Sequence, residues 1–166
     1  MAGMQKKYEE IVHTYSQPLY WYIRRLVVGH EDAQDLLQDT LVTVYRKLWQ
    51  LRDPSKLKAW LYRCATNEVN HFYRRRQKEL GDVPIDDYLV QTLESGTYVD
   101  YGQAEAIVLQ KAILSLSPLQ RQVFTLKYYD DLDYDEIAKI TGSTPESLKV
   151  SYHKAKEKIR QTIEEI

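Results

Sequence analysis

The stretch DYDEIAKITGSTPESLKVSYHKAKEKIR, residues 133–160, decides the reading of this chain. Asp133 to Thr141 has the pattern of a short amphipathic helix, Gly142 is a turn residue, and Ser143 to Arg160 continues as a longer helix. Helix, tight turn, helix is the order by which a small domain presents one helix to the DNA major groove. In the second helix Leu148, Tyr152, Ala155, Ile159 and Ile163 recur at i, i+4, i+7, i+11 and i+15, a single apolar stripe expected to face the core. Lys149, His153, Lys156 and Arg160 repeat that spacing one residue later, so a basic stripe lies roughly 100° around the helix from the apolar one.

The rest of the chain sets bounds on this domain. With 166 residues there is room for one domain or two small ones. Nothing approaches the roughly 18 apolar residues of a membrane span, and Met1 to Lys7 lacks the apolar segment of a secretory signal, so a cytoplasmic protein without membrane insertion is expected. The lone Cys64 excludes an internal disulfide. Its setting among Leu61, Ala65 and Val69 at helical spacing predicts a buried thiol rather than redox chemistry.

The net charge of −1 hides a segregation. From Arg46 to Lys78 there are ten Lys or Arg and two acids, whereas from Glu79 to Glu105 there are seven acids and no Lys or Arg. The acidic stretch also carries the helix breakers of GDVPIDDY and ESGTYVDYG, and residues 80–104 therefore read as an acidic flexible linker. It divides the chain into two small helical domains, 1–79 and 105–166. Neither half has strand-like alternation, and the fold class is all-α.

Four helical segments are expected in the first domain: Lys6 to Val27 with a bend at Pro18, Glu31 to Leu51, a short piece near Lys56, and Lys58 to Gln77. The second has Ala33, Leu37, Leu41, Val44 and Leu48 as its buried face, and Asp32, Asp35, Gln38 and Asp39 on another. Acids in the first turn complement the helix dipole, which accounts for Asp32 and Asp35; Asp39 lies too far in, and with Gln38 suggests a polar surface for a partner. In the last helix Arg63, Asn67, Asn70 and Arg74 share one face while Leu61, Ala65, Val69 and Phe72 take the core side. Arginine and asparagine engage phosphates and base edges, and Trp60, Tyr62 and Tyr73 are candidates for stacking on unpaired bases. A solvated basic face, with its aromatics turned into the core, is the alternative reading. The run Arg74-Arg75-Arg76 favours a polyanion.

The second domain opens with a helix around Ala106 to Leu116. Ser117-Pro118 then fits an N-cap and first helical position, followed by a core face of Leu119, Val123 and Leu126. Chemistry-bearing motifs are missing: the histidines at 13, 30, 71 and 153 are scattered, and no zinc spacing, phosphate loop, nucleophile elbow or dinucleotide fingerprint occurs. Adjacent Asp86 and Asp87 on a flexible segment lack the fixed geometry of a catalytic pair. No catalytic residue, metal site or cofactor is expected.

Taken in order, these blocks resemble the bacterial sigma factors of RNA polymerase, the extracytoplasmic function (ECF) group of the sigma-70 family, which keeps only regions 2 and 4. EDAQDLLQDTLVTVYRKL is similar to region 2.2, KAWLYRCATNEVNHFYRRR to regions 2.3 to 2.4, and the segment from Leu116 to Arg160 to region 4. The resemblance implies a transcription initiation factor, not an enzyme, whose partners are core RNA polymerase and promoter DNA, with an anti-sigma factor as a further expected partner. Asp32, Asp35, Gln38 and Asp39 would bind the clamp coiled coil of the largest subunit, and region 4 would meet the flap of the second-largest. Arg52, Ser55, Lys56, Arg63, Asn67, Asn70 and Arg74 would capture the melted minus-10 element. Ser147, Lys149, Ser151, His153, Lys154 and Lys156 would read the minus-35 element, and the linker would thread the polymerase interior toward the RNA exit.

The chain departs from the family pattern at three places. His71 stands where Asp is usual, Gln34 replaces the acid before Asp35, and Ser147-Leu148-Lys149-Val150-Ser151 replaces a Thr-Val-Lys-Ser-Arg run. A stand-alone helix-turn-helix regulator with an N-terminal sensor domain is the competing reading, and it leaves the Arg and Asn face of the first domain without a role. A helical adaptor that binds only protein leaves the basic stripe of the last helix unexplained.

Overall fold

The computed structural model describes residues 2–95 and 104–165, and every structural statement below concerns these. They form eight α-helices: α1 Ala2–Val27, α2 His30–Lys47, α3 Leu57–Leu80, α4 Ile85–Glu94, α5 Ala104–Leu114, α6 Pro118–Tyr128, α7 Tyr134–Thr141 and α8 Pro145–Glu164. Short 3-10 turns at Leu48–Gln50 and Pro54–Lys56 lead from α2 into α3. α1 runs through Pro18 as one element and begins earlier than the apolar period suggests.

Helices α1, α2 and α3 pack on one another through stripes at helical spacing. Leu19, Tyr22, Ile23 and Leu26 of α1 meet Ala33, Leu36 and Val44 of α2 and Leu61, Ala65, Val69 and Phe72 of α3, all buried. The buried face of α2 is turned by one position from the expected one. Leu36 and Thr40 are inside while Leu37 and Leu41 are only half-buried, because Thr40 Oγ1 donates to the Leu36 carbonyl at 2.7 Å and needs no water. Between α1 and α2 the chain turns sharply at Val28, which is fully buried with φ 73°. A β-branched residue in that region is strained. The fully buried Arg24 holds the turn, its Nε donating to the Val28 carbonyl and its Nη1 to Tyr20 Oη at 2.9 Å.

Caps delimit the helices of the second half. Ser117 and Gln120 form a capping box before α6, with Pro118 in the first turn, and Asp133 and Glu136 form another before α7. Gly142 ends α7 at φ 80°, a left-handed position that a side chain would strain, and its N–H donates to the Ala138 carbonyl at 2.8 Å. Thr144 accepts from Ser147 N–H to start α8, again followed by proline. Ala112, Ile113, Leu116, Phe124, Ala155 and Ile159 make a small core of their own. Two residues expected inside are not: Leu119 is 37% and Ile163 is 40% exposed, since α6 turns Arg121 and Gln122 inward instead and α8 outruns its neighbours by Ile163.

The acidic stretch departs most from the sequence expectation. Within it α4 is a ten-residue helix that buries Leu89 and Leu93, so this part of the segment is ordered; the remainder, 96–103, lies outside the described residues. α4 touches both halves. Gln77 Oε1 accepts from Ile85 N–H at 2.8 Å on the α3 side, while Asp86 pairs with Arg121 of α6 at 2.9 Å and Glu94 with Lys111 of α5 at 3.3 Å. The main core continues across the same boundary, joining α1, α3 and α4 to Leu114, Val123, Leu126, Leu132, Ile137 and Leu148.

Candidate nucleic-acid interface

Three surfaces gather the residues singled out by sequence. On α2, Asp35, Gln38 and Asp39 are exposed. Asp32 is set apart from them, because α3 and α4 claim it: its carboxylate pairs with Arg76 at 3.2 Å and accepts from Tyr88 Oη at 3.5 Å. The exposed face continues into residues that sequence reasoning passed over. Val42, Tyr45 and Trp49 are 46%, 57% and 68% exposed and follow Gln38 at i+4, i+7 and i+11, a spacing visible in the sequence. Tyr45 meets Tyr8 edge to face, with centroids 5.1 Å apart.

The second surface is α3 and the turn before it. Asp53 organises this turn, accepting from Ser55 N–H at 3.0 Å and from Ser55 Oγ at 2.7 Å, and those two bonds hold its carboxyl below the usual range. Arg52, Ser55 and Lys56 are exposed beside it. Along the helix Arg63, Asn67, His71 and Arg74 are exposed, while Asn70 is half-buried, its Oδ1 accepting from Gln122 Nε2 of α6 at 2.7 Å. A hollow of about 350 Å³ opens where Lys47 of α2 faces Trp60, Arg63, Asn67 and His71. Trp60 stays half-buried at its edge.

The two tyrosines expected to stack on bases do not reach this surface. Tyr62 and Tyr73 point into the core, where Tyr62 Oη donates to Asp130 Oδ1 and Tyr73 Oη to the Leu26 carbonyl, each at 2.7 Å. Burial pushes both phenols above their usual pKa. Cys64 is buried as expected, its thiol pushed up to about 11 by burial.

On the third surface, α8, the residues Ser147, Lys149, His153, Lys154 and Lys156 are exposed and Ser151 is half-buried. Leu148, Ala155 and Ile159 fix the helix on the core, so the basic stripe turns outward. Lys149 Nζ lies 5.9 Å from the Tyr134 ring and Lys156 Nζ 4.7 Å from the Tyr152 ring, which limits their swing. Arg160 leaves the stripe: its guanidinium is taken by Glu157 at 2.5 Å and Glu164 at 3.3 Å. Among the described residues no group of three His, Cys, Asp or Glu side chains could hold a metal ion, and no helix is long and apolar enough to cross a membrane.

Asp130, in the loop before α7, is the titratable group with the least ordinary setting. Burial pushes its carboxyl up to about 6, against the Tyr62 hydrogen bond and the nearby Arg25 and Lys58. An acid whose pKa is raised by folding binds its proton more tightly in the folded state, so charging it costs stability as pH rises from its unfolded value of 3.8 to about 6, and the cost then stays constant. Asp130→Asn removes this cost. Melting temperatures taken at about pH 4 and about pH 7.5 should show the variant gaining on the parent at the higher pH; a constant difference would contradict the assignment.

Fold and surfaces together define a two-domain, all-helical DNA-binding protein whose last two helices form a helix-turn-helix. The family Sigma-70 region 2 matches residues 11–79 and Sigma-70, region 4 matches residues 106–159, roughly three quarters of the chain between them. The chain belongs to the sigma-70 family as an ECF-type RNA polymerase sigma factor, a transcription initiation factor. It is 29% identical to the RNA polymerase sigma-E factor of Streptomyces avermitilis over 98% of this chain and 88% of the relative. RNA polymerase sigma factor YlaC of Bacillus subtilis is 27% identical over 93% of this chain and 91% of its own. Two solved structures share the fold. RpoE in complex with the anti-sigma factor NepR from Bartonella quintana has a TM-score of 0.77 at 23% identity, covering 96% of this chain and 98% of that one. CnrH in complex with the cytosolic domain of CnrY has a TM-score of 0.68 at 21% identity, covering 96% and 89%.

Proposed function

We propose that this chain docks core RNA polymerase through α2, captures the melted minus-10 strand on α3, and reads the minus-35 element with α8, without catalytic activity of its own and in the cytoplasm. The observation that carries the assignment is the presence, in one chain, of a helix-turn-helix and of a second, separate face of exposed Arg63, Asn67 and Arg74 with a hollow beside it. A self-sufficient regulator needs only the first. Unpaired bases expose π faces and edges that a hollow edged by Trp60, Arg63 and Asn67 can receive, while Arg52, Lys56 and Arg74 suit the phosphates. Residues 1–79 and 105–166 would act as the two DNA-reading units. The test is a mixing experiment: core polymerase on promoter DNA should start transcripts only when the chain is added, and binding to the same DNA without polymerase would favour a regulator instead.

On α2 the exposed Asp35, Gln38 and Asp39 are assigned to the clamp coiled coil, and Asp32, already paired with Arg76, to a supporting role. Asp35→Arg with Gln38→Ala should weaken core polymerase binding at least tenfold and change stability by about 0.5 kcal/mol or less. Polymerase titration and the helical spectrum check both halves of that expectation.

For α8 the check is salt. Each lysine touching a phosphate releases about one counterion, so Lys156→Ala should reduce the slope of log affinity against log salt by about 0.9 and weaken all promoters alike. Lys149 lies nearer the N-terminal end, where base readers sit, and Lys149→Ala should also alter the minus-35 preference. A promoter library titrated at several salt concentrations separates the two; a parental slope and preference in both variants would remove α8 from the groove.

A further inference from the structure

Lysines from two helices of the second domain converge on one aromatic ring. Tyr134, the first residue of α7, is half-buried, and Tyr152 of α8 meets it edge to face with centroids 6.4 Å apart. Lys127 Nζ, from the last turn of α6, lies 4.8 Å from the centre of the Tyr134 ring. Lys149 Nζ, from α8, lies 5.9 Å from the same ring. Neither lysine has an ion pair among the described residues. The acids beside them do not take the charge. Asp133 and Glu136 are spent on the cap of α7, each accepting from the other's backbone N–H at 2.8 and 3.0 Å, and Asp135 is exposed.

The simplest account of Lys127 is that a cation in the last turn of α6 complements the negative end of the helix dipole. It does not explain why a lysine of another helix comes to the same ring. An ammonium over a phenol ring at an exposed site is favoured by a factor of about two to five. That contributes little to folding, yet it removes in advance part of the rotamer freedom a lysine loses when it settles on a ligand. The two like charges also repel, and an anion placed between them turns that repulsion into attraction. The phosphates that flank a DNA groove supply such an anion next to the base edges.

We propose that Tyr134 is a positioning residue for minus-35 reading: its ring holds Lys149 toward the base edges and Lys127, outside the helix-turn-helix, toward a flanking phosphate. The inference rests on the reading of α8 as the minus-35 helix. It extends the promoter contact to α6 and makes the base preference of Lys149 depend on a side chain that itself touches no base. Helical spacing could not reveal it, because the three residues lie on three different helices.

The test uses the full chain bound to core polymerase, titrated with the promoter library at several salt concentrations. Tyr134→Phe keeps the ring and should retain the parental base preference, with affinity within about twofold. Tyr134→Leu removes the aromatic face and should reduce discrimination among minus-35 bases about threefold. In a Lys149→Ala background the same leucine should add nothing to the loss of preference, because the ring acts through that lysine. Lys127→Ala should lower the salt slope by about 0.9 and weaken all promoters alike. Parental preference in Tyr134→Leu overturns the inference. So does an equal loss in the Phe and Leu variants, which would assign the effect to the hydroxyl, or an additive loss in the Lys149→Ala background, which would make Tyr134 a structural residue only. A parental slope in Lys127→Ala overturns it as well, leaving that lysine to the α6 dipole. If Tyr134→Leu melts within the assay range, Tyr134→Met is held to the same expectation, and the Lys127→Ala slope, measured with the ring in place, decides independently. Parental behaviour of both Lys149→Ala and Lys156→Ala would instead sink α8 as the minus-35 helix; an effect there with none in Tyr134→Leu sinks only the positioning role.

Discussion

With Asn67 and Arg74 both changed to alanine, core polymerase should still bind the chain normally, but minus-10 thymines should react far less with permanganate. Both side chains are exposed and neither supports the core, so the stability change should be within about 0.5 kcal/mol. Each lost bond to a phosphate or base edge is worth about 1 to 2 kcal/mol, close to a factor of 10, so the pair should reduce the open complex by about 100-fold. Asn70→Ala is the informative companion. It removes a base-edge candidate and also the Gln122 contact across the domains, so its effect on opening should be smaller than that of Asn67→Ala. Thymine reactivity equal to the parent in the double variant would show that strand capture lies elsewhere.

How far the sequence could reveal this surface follows from what helical spacing encodes. Spacing reports the faces of one helix, and so Arg63, Asn67 and Arg74 emerge together and outside, just as Leu61, Ala65, Val69 and Phe72 emerge together and inside. Gly142 and the Ser117 cap are local devices that spacing and residue type mark directly, whereas the caps at Asp133 and Thr144, which start α7 and α8 at Tyr134 and Pro145, emerge only from the structure. Spacing does not say which neighbour will cover a face. Tyr62 and Asn70 looked available because nothing in α3 alone announces that α6 and the loop before α7 will lie against it.

α4 shows the opposite failure. Ile85, Leu89 and Leu93 have helical spacing, yet Gly81, Pro84 and the surrounding acids outweighed them, and a helix of ten residues is not stable by itself in water. Its stability comes from burying Leu89 and Leu93 between the domains, a tertiary fact. The exposed Val42, Tyr45 and Trp49 were missed for a different reason. Apolar residues on a helix are first assigned to the core, and only the packed structure shows that α2 buries Leu36 and Val44 and leaves that second stripe in water beside Gln38.

The largest stability effect should come from a residue that charge patterning treats as surface. Arg121 of α6 is 1% exposed and its guanidinium is the hub of three elements: Nη2 lies 2.9 Å from Asp86 of α4 and 3.0 and 3.2 Å from the carbonyls of Leu116 and Leu114, while Nη1 donates to Tyr73 Oη of α3 at 3.3 Å. Arg121→Met preserves much of the packing volume but strands two carbonyls at the end of α5, and a buried acceptor without a donor costs about 1 to 3 kcal/mol. A loss of about 3 kcal/mol and roughly 10 °C in melting temperature is expected. Asp86→Ala separates the helix-end contacts from the interdomain ion pair. Asp86 is 47% exposed, so its loss leaves the guanidinium bonded to Leu114, Leu116 and Tyr73 and should cost about 1 kcal/mol or less. Calorimetry of the two variants therefore ranks the roles: equal losses would mean that Arg121 is retained for the pairing with α4, and a much larger loss in Arg121→Met would mean that it closes α5 onto α6.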